Sequence, residues 1–397
     1  MSANQIRIGV VLLSLAGPVG NQAVGVASPQ AQQDMAQALI DDINKAGGVQ
    51  CRKLVPTYYQ VNPVDSVNQH SECLQIVQDG VFAVIDGGGF SYPIASRDCV
   101  VQNKIPLYSQ VGIVPTEGNQ QFYPYLFSPA ATYDVDMRDV ALGAKARGFF
   151  SSSSGFHLLG VLDDDCTPEV NADLDTALSL AGVRPAQISR FVFACPPSGF
   201  APPSAMAQAV EQFKLAGVTN VIPVTGGGSF DTFTKIAQQQ DFRPRYAVSD
   251  YDGLSSTVES TQGPDPQNFD GAVATIPWRT GQLASGLPAD PATQRCNQEM
   301  TAHGLPTMAE ASAIQGVYCA LLTMFTTSAE RAPRLTRTAL VDGLDASGTV
   351  GFSFPFADGT FNRAHKIAGG DYWRPIQWHA GCTCWKVLDP AFQPSFG

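Results

Sequence analysis

Two stretches of the chain place a bare glycine backbone at the end of an apolar run. One runs from Val81 to Asp86 and continues as Gly87-Gly88-Gly89, Phe90 and Ser91. The other runs from Asn220 to Thr225 and continues as Gly226-Gly227-Gly228, Ser229 and Phe230. The chemistry such a turn offers is binding, because a backbone without Cβ lets a ligand approach peptide groups closely. Buried parallel strands read as continuous apolar runs, and ligands of open α/β sheets sit outside the carboxyl ends of the strands. The two turns are therefore expected to be the binding edges of two α/β lobes. The lobes are expected to face each other across a cleft that closes on a small molecule.

Other chemistries lack their residues. A dinucleotide fingerprint needs a third glycine three positions on, where the chain has Tyr92 and Asp231. No phosphate-binding G-x-x-x-x-G-K-[ST] loop occurs, nor a G-x-S-x-G nucleophile elbow. Asp163, Asp164 and Asp165 at a strand end read as solvated or helix-start charge rather than a cation site. The five histidines are scattered and there is no CxxC spacing, so neither a metal nor a cofactor is expected. Catalysis is not expected.

The nine cysteines suggest cross-links. Cys166 and Cys195 each follow an apolar strand pattern and can meet if those strands are neighbours. Cys73 and Cys99 fall in two successive helical patterns, as do Cys296 and Cys319. Cys382 and Cys384 are one residue apart, and Cys51 is left over. Small buried thiols are the alternative reading. At least two disulfides are expected, which favours an exported protein.

Alternating elements must position these residues. "IRIGVVLLS" reads as a strand, and Ser28-Pro29 as a helix cap and first turn ahead of Met35, Leu39 and Ile43 on one face. "RKLVPTYYQ", "VFAVID", "IPLYSQ" and "YLFSPA" are further strands. After Pro129 the alternation restarts. "HLLGVLDDD", "ISRFVFA", "NVIPV", "RYAVSD" and "FDGAVATIPW" are strands, and Thr167-Pro168 opens a helix. Helices follow from Pro291 to about Arg331, and the tail holds β-like "GFSFPF", "DYWRPIQWH" and "CTCWKVL". Strand–helix alternation implies parallel sheets with right-handed crossovers.

Length and composition agree with two domains. The chain has 397 residues, 44% apolar and 15% charged, with net charge −11. No basic footprint for nucleic acid is visible, and no run approaches the ~20 apolar residues of a membrane span. "MSANQ" leads straight into the first strand without an export signal. The exported reading takes the signal segment as absent from this chain.

"LAGPVG" after the first strand, "IDDINKAGGVQCRKLVP" into the second and "VFAVIDGGG" at the third resemble the type I periplasmic binding proteins. The likeness is to the leucine/isoleucine/valine-binding branch of ABC transporter substrate-binding proteins. Cys73/Cys99 and Cys296/Cys319 sit where many members carry disulfides. The resemblance implies two Rossmann-like lobes with parallel sheets, joined by three crossovers near Ser128, Pro277 and Arg331. Lobe 1 would hold residues 1–127 and 279–330, and lobe 2 residues 128–278 and 331–397. It implies a monomeric solute binder, periplasmic or a cell-surface lipoprotein, that serves the membrane permease of an ABC importer.

The expected ligand contacts are Phe90, Ser91, Ser109, Gln110, Tyr133, Asp165, Gly227, Asp250, Tyr251 and Trp278. Amino-acid binders of this branch use a threonine-containing turn after the fourth strand, but here the turn is Ser109-Gln110-Val111-Gly112-Ile113. The tyrosine that often follows the first strand of lobe two is replaced by Cys166-Thr167. With Phe90, Tyr133, Phe230, Tyr251 and Trp278 expected nearby, the site suits an aromatic or apolar organic ligand better than a standard amino acid. The alternatives are an amino-acid-binding transporter component, or a ligand-sensing domain of a receptor or regulator.

Overall fold

The structure is a computed structural model, and it describes residues 4–15, 18–23, 26–63, 65–88, 94–110, 123–195, 201–225, 227–251, 263–307, 314–361 and 366–396. The first elements are β1 (Gln5–Leu13), α1 (Pro18–Ala23), α2 (Pro29–Lys45), β2 (Lys53–Val61), α3 (Ser66–Asp79), β3 (Ala83–Asp86), α4 (Ile94–Gln102), β4 (Leu107–Ser109) and β5 (Leu126–Phe127). Next come α5 (Tyr133–Ala146), β6 (Leu159–Asp164), α6 (Pro168–Ala181), β7 (Ile188–Phe193), α7 (Pro203–Ala216), β8 (Asn220–Val224), α8 (Gly227–Gln239), β9 (Arg245–Val248) and β10 (Val273–Ile276). The chain ends with α9 (Pro291–Ala302), α10 (Ile314–Arg331), α11 (Leu340–Asp345), β11 (Gly348–Val350), β12 (Gly359–Phe361), β13 (Tyr372–His379), β14 (Cys384–Val387) and β15 (Gln393–Pro394).

Two compact units result. Unit 1 comprises Met1–Ala131 and Ala289–Asp371, and unit 2 comprises Thr132–Pro288 and Tyr372–Gly397. Unit 1 is built on a parallel sheet of order β2-β1-β3-β4-β5. Unit 2 is built on the order β14-β13-β10-β9-β8-β6-β7, parallel from β10 to β7 and antiparallel at β13 and β14. These are α/β sheets of the kind the alternating sequence pattern predicts.

Local chemistry explains the elements. Ser28 caps α2, its Oγ accepting from Ala31 N at 3.2 Å, with Pro29 in the first turn. Asp65 caps α3 through Val67 N and Asn68 N, both at 3.0 Å. In unit 1, β1 is buried along Ile8, Val10, Val11 and Leu12, beneath Met35 and Leu39 of α2. Unit 2 packs on an aromatic cluster in which Phe269 lies 5.6–6.0 Å, ring to ring, from Phe230, Tyr246, Trp378 and Trp385.

Three details differ from the sequence reading. The chain last passes between units at 371/372 rather than near Arg331. Residues 332–371 stay with unit 1 because α11 packs on the end of α10, where a Cβ on Gly343 would stand 2.6 Å from Ala332 N. Ser128 also bridges to Ala368 in the same unit. Likewise residues 279–288 belong to unit 2, where Arg374 Nη2 donates to Thr280 O at 3.2 Å. Finally, "GFSFPF" forms no strand; β11 and β12 flank it, and Pro355 has no N–H to give a ladder.

Candidate functional site

In unit 1 the sheet edge is held by buried polar side chains. β3 ends at Asp86, whose Oδ1 accepts from Gly88 N at 3.0 Å and whose Oδ2 accepts from Ser109 Oγ at 3.2 Å. Gln110 Nε2 donates to Gly87 O at 3.2 Å. Tyr318, from α10, is fully buried and donates its hydroxyl to Val11 O at 2.9 Å, with Gln32 Oε1 at 3.1 Å. A Cβ on Gly87 would stand 2.6 Å from Tyr318 Cζ, so this position must be glycine. Gln32 Nε2 and Asn21 Nδ2 each donate to both Leu13 O and Ala27 O at 2.8 Å, fixing the loop after β1. Ser109 and Gln110 thus serve the turn itself. Phe90 and Ser91 lie outside the described residues.

In unit 2 the helices α6, α7 and α8 follow the carboxyl ends of the parallel strands β6, β7 and β8, and α5 opens the unit. Tyr133 is the first residue of α5, and its ring meets that of Tyr251 edge to face at 4.8 Å. Tyr251 donates its hydroxyl to Thr167 Oγ1 at 3.2 Å. Thr167 caps α6 by position but makes no side-chain cap bond. Beside it, Cys166 and Cys195 form a disulfide with Cα atoms 4.7 Å apart, joining the loops after β6 and β7. Asp164 Oδ1 accepts from Cys166 N at 3.1 Å, and Asp165 Oδ1 accepts from Cys195 N. Asp250 and Trp278, each 9% exposed, end or follow β9 and β10. Gly227 opens α8 directly, so the second glycine turn is a helix start and not a copy of the first.

The acid triplet does not converge. Asp163 pairs with Arg190, while Asp164 and Asp165 hold the two loop amides. Burial pushes the Asp163 carboxyl up, opposed by Arg190. Among the described residues no group of three or more His, Cys, Asp or Glu side chains is placed to hold a metal. Asp231, in the first turns of α8, is pushed up to about 7 by burial, opposed by Lys235.

Phe230 is a correction. It is fully buried, its ring stacked on Phe233 at 5.7 Å and edge-on to Tyr246 at 5.4 Å, so it is core and not a ligand contact. Sequence reasoning missed Asp86, Asn21, Gln32 and Tyr318. Gln32 carried a signal, as a polar residue on the same helical face as Met35, Leu39 and Ile43.

Among the described residues all nine cysteines are placed. Four disulfides form, Cys73–Cys99, Cys166–Cys195, Cys296–Cys319 and Cys382–Cys384, and Cys51 is exposed and free. No described helix is long and apolar enough to cross a membrane. The two edges offer ring faces, hydroxyls and peptide groups, which is equipment for holding an organic molecule.

A sequence profile of the family described as periplasmic binding protein matches residues 5–379. Comparison by sequence with curated proteins finds no match. Solved structures of similar fold include an ABC transporter substrate-binding protein of Desulfitobacterium hafniense in complex with leucine. It is 14% identical with TM-score 0.65, covering 97% of this chain and 100% of that one. The branched-chain amino acid transporter substrate-binding protein of Streptococcus pneumoniae, in complex with isoleucine, is 12% identical with TM-score 0.66, covering 98% and 100%. The fatty acid ABC transporter substrate-binding protein of Thermomonospora curvata is 13% identical with TM-score 0.66, covering 100% and 94%.

Proposed function

The chain belongs to the periplasmic binding protein family, and from that we propose that it binds a small organic solute outside the cytoplasm and delivers it to the permease of an ABC importer. The protein holds its ligand without transforming it. The ligand is aromatic or apolar rather than a standard amino acid. The observation that carries this reading is the Tyr133–Tyr251 ring pair, set on Thr167 at the carboxyl edge of unit 2. Edge-to-face rings at a sheet edge offer apolar area, and hydroxyls nearby orient a polar end. Ser109 and Gln110, the residues at the turn where amino-acid binders keep a threonine, are committed to Asp86 and Gly87. Relatives of this fold include binders named for leucine, isoleucine and fatty acids, so the fold accommodates apolar side chains and long acyl chains alike.

A thermal-shift panel of amino acids, aromatic carboxylates, fatty acids and sterol-like compounds tests this. A ligand at a hundredfold excess over Kd stabilises the folded state by ~2.7 kcal/mol. That corresponds to a melting increase of about 3 °C if the 397-residue chain melts as a whole, and roughly 5–10 °C if a single unit melts by itself. The expected responders are aromatic or acyl compounds. A response to leucine or isoleucine alone overturns the ligand assignment while leaving the solute-binding role intact.

A further inference from the structure

The hairpin joining β13 to β14 carries a disulfide between Cys382 and Cys384, with Cα atoms 5.2 Å apart and only Thr383 between them. A bridge that closes so short a loop removes little freedom from the unfolded chain, so it adds little to stability. The hairpin also does not need it. Cys382 N donates to His379 O at 3.3 Å and Thr383 N to Ala380 O at 3.2 Å, closing the turn through the backbone. Below the turn, Trp378 pairs with Trp385, Gln377 with Lys386 and Ile376 with Val387. The rings of Trp378 and Trp385 meet at 5.6 Å and both pack on Phe269. The strands are therefore locked by buried tryptophans, and the bridge sits beyond them in solvent.

Its surroundings leave it accessible and its linker residue strained. Cys382 is exposed and Cys384 half-buried, as are Cys195 and Cys166 respectively, whereas Cys73, Cys296 and Cys319 are buried. Thr383 holds φ +50°, a left-handed conformation that β-branched residues seldom adopt. Exposed or strained disulfides are the labile ones, open to attack by thiolate.

We propose that Cys382–Cys384 is a thiol–disulfide exchange site, opened by small aliphatic thiols and closed again by their disulfides while the fold stays intact. The thiolate of the incoming thiol attacks Cys382 Sγ, the exposed sulfur. The bond between the two cysteines breaks, a mixed disulfide forms on Cys382, and Cys384 leaves as thiolate and takes a proton. A second thiolate attacks the external sulfur of that mixed disulfide and releases Cys382. In total two thiols are oxidised to one disulfide, and the protein gains two electrons and two protons. This site is independent of the ligand assignment above.

The test uses the full chain carrying Cys51→Ser, which removes the free thiol. The protein is equilibrated in glutathione redox buffers, quenched by alkylation and mapped by peptide mass spectrometry, with far-UV circular dichroism recorded in parallel. The expected result is opening of Cys382–Cys384 at a glutathione concentration at least about tenfold below that needed for any other bridge, with unchanged dichroism. A second variant, Cys382→Ser with Cys384→Ser, should melt within about 3 °C of its parent. The proposal is overturned if Cys166–Cys195, whose Cys195 is also exposed, opens as readily. Opening only together with loss of dichroism, or failure of the double variant to fold, also overturns it.

Discussion

Gly87→Ala is the sharpest perturbation of the unit 1 edge. The new Cβ would stand 2.6 Å from Cζ and 2.9 Å from Cε1 of Tyr318, whose ring has no solvent side to move into. Overpacking of this kind costs about 1–3 kcal/mol. Moving the ring also breaks the hydroxyl contacts to Val11 O and Gln32 Oε1, worth about 1 kcal/mol net. The expected loss is about 2–4 kcal/mol in urea denaturation of the unliganded protein. The four tryptophans, at 278, 373, 378 and 385, all lie in unit 2, so the loss must be read by far-UV circular dichroism rather than tryptophan fluorescence. Tyr318→Phe alone should cost about 1–2 kcal/mol, since it gives up the hydroxyl contacts first. In that background Gly87→Ala should cost at least about 0.5 kcal/mol less than it does alone, because the ring is then free to shift. A wild-type midpoint for Gly87→Ala, or full additivity in the double variant, would refute the contact as the reason for glycine.

Two further outcomes follow from buried groups. Asp139 of α5 accepts from Ser395 Oγ at 2.7 Å and from Phe396 N at 3.1 Å, yet burial pushes its carboxyl up to about 7. A folded value above the unfolded one means that the native state holds the proton more tightly. The stabilisation is complete below about pH 4 and is lost as pH rises through about 7. The protein should therefore melt higher at pH 5.5 than at pH 8, and Asp139→Asn should reduce that difference while leaving the share that Asp231 contributes. An unchanged slope in the variant would contradict the assignment. Separately, the Cys73–Cys99 bridge spans 26 residues, so replacing both with serine should cost about 3.5 kcal/mol by chain-entropy scaling. Non-reducing melts showing a loss below about 1 kcal/mol would remove that account.

Much of the fold was legible because its signals are local. Ser28-Pro29 and Thr167-Pro168 mark helix starts, and both helices begin there. The apolar runs of β1, β3, β6 and β8 carry the strand signal of buried parallel sheets. The four cysteine pairs set side by side in the sequence reading all form, Cys166–Cys195 because β6 and β7 are neighbours and Cys73–Cys99 because α3 packs beside α4. What resisted reading depends on distant contacts. Tyr318 meets Gly87 and Gln32 across more than 200 residues of chain, and no periodicity announces that meeting. Phe230 follows a glycine turn just as Phe90 does, but α8 starts early enough to turn Phe230 into the aromatic core. Residues 332–371 resemble a tail in sequence, and distant contacts assign them to unit 1, among them the approach of Gly343 to the end of α10 and the Ser128–Ala368 bridge.

The central claim is that this chain holds an apolar or aromatic solute unchanged, through the tyrosine edge of unit 2. Titration calorimetry of the strongest thermal-shift responder against wild type and Tyr251→Ala tests it most directly, with the unliganded melt of each protein and mass spectrometry of the recovered ligand alongside. Tyr251 is partly exposed but pairs with Tyr133 and bonds Thr167, so its loss should lower the unliganded melt by no more than about 5 °C. Removing a central aromatic contact should weaken binding by about 1–3 kcal/mol, or roughly 5–150-fold, and the ligand should return chemically intact. Undiminished affinity in folded Tyr251→Ala, or a recovered compound that has been transformed, would contradict the account.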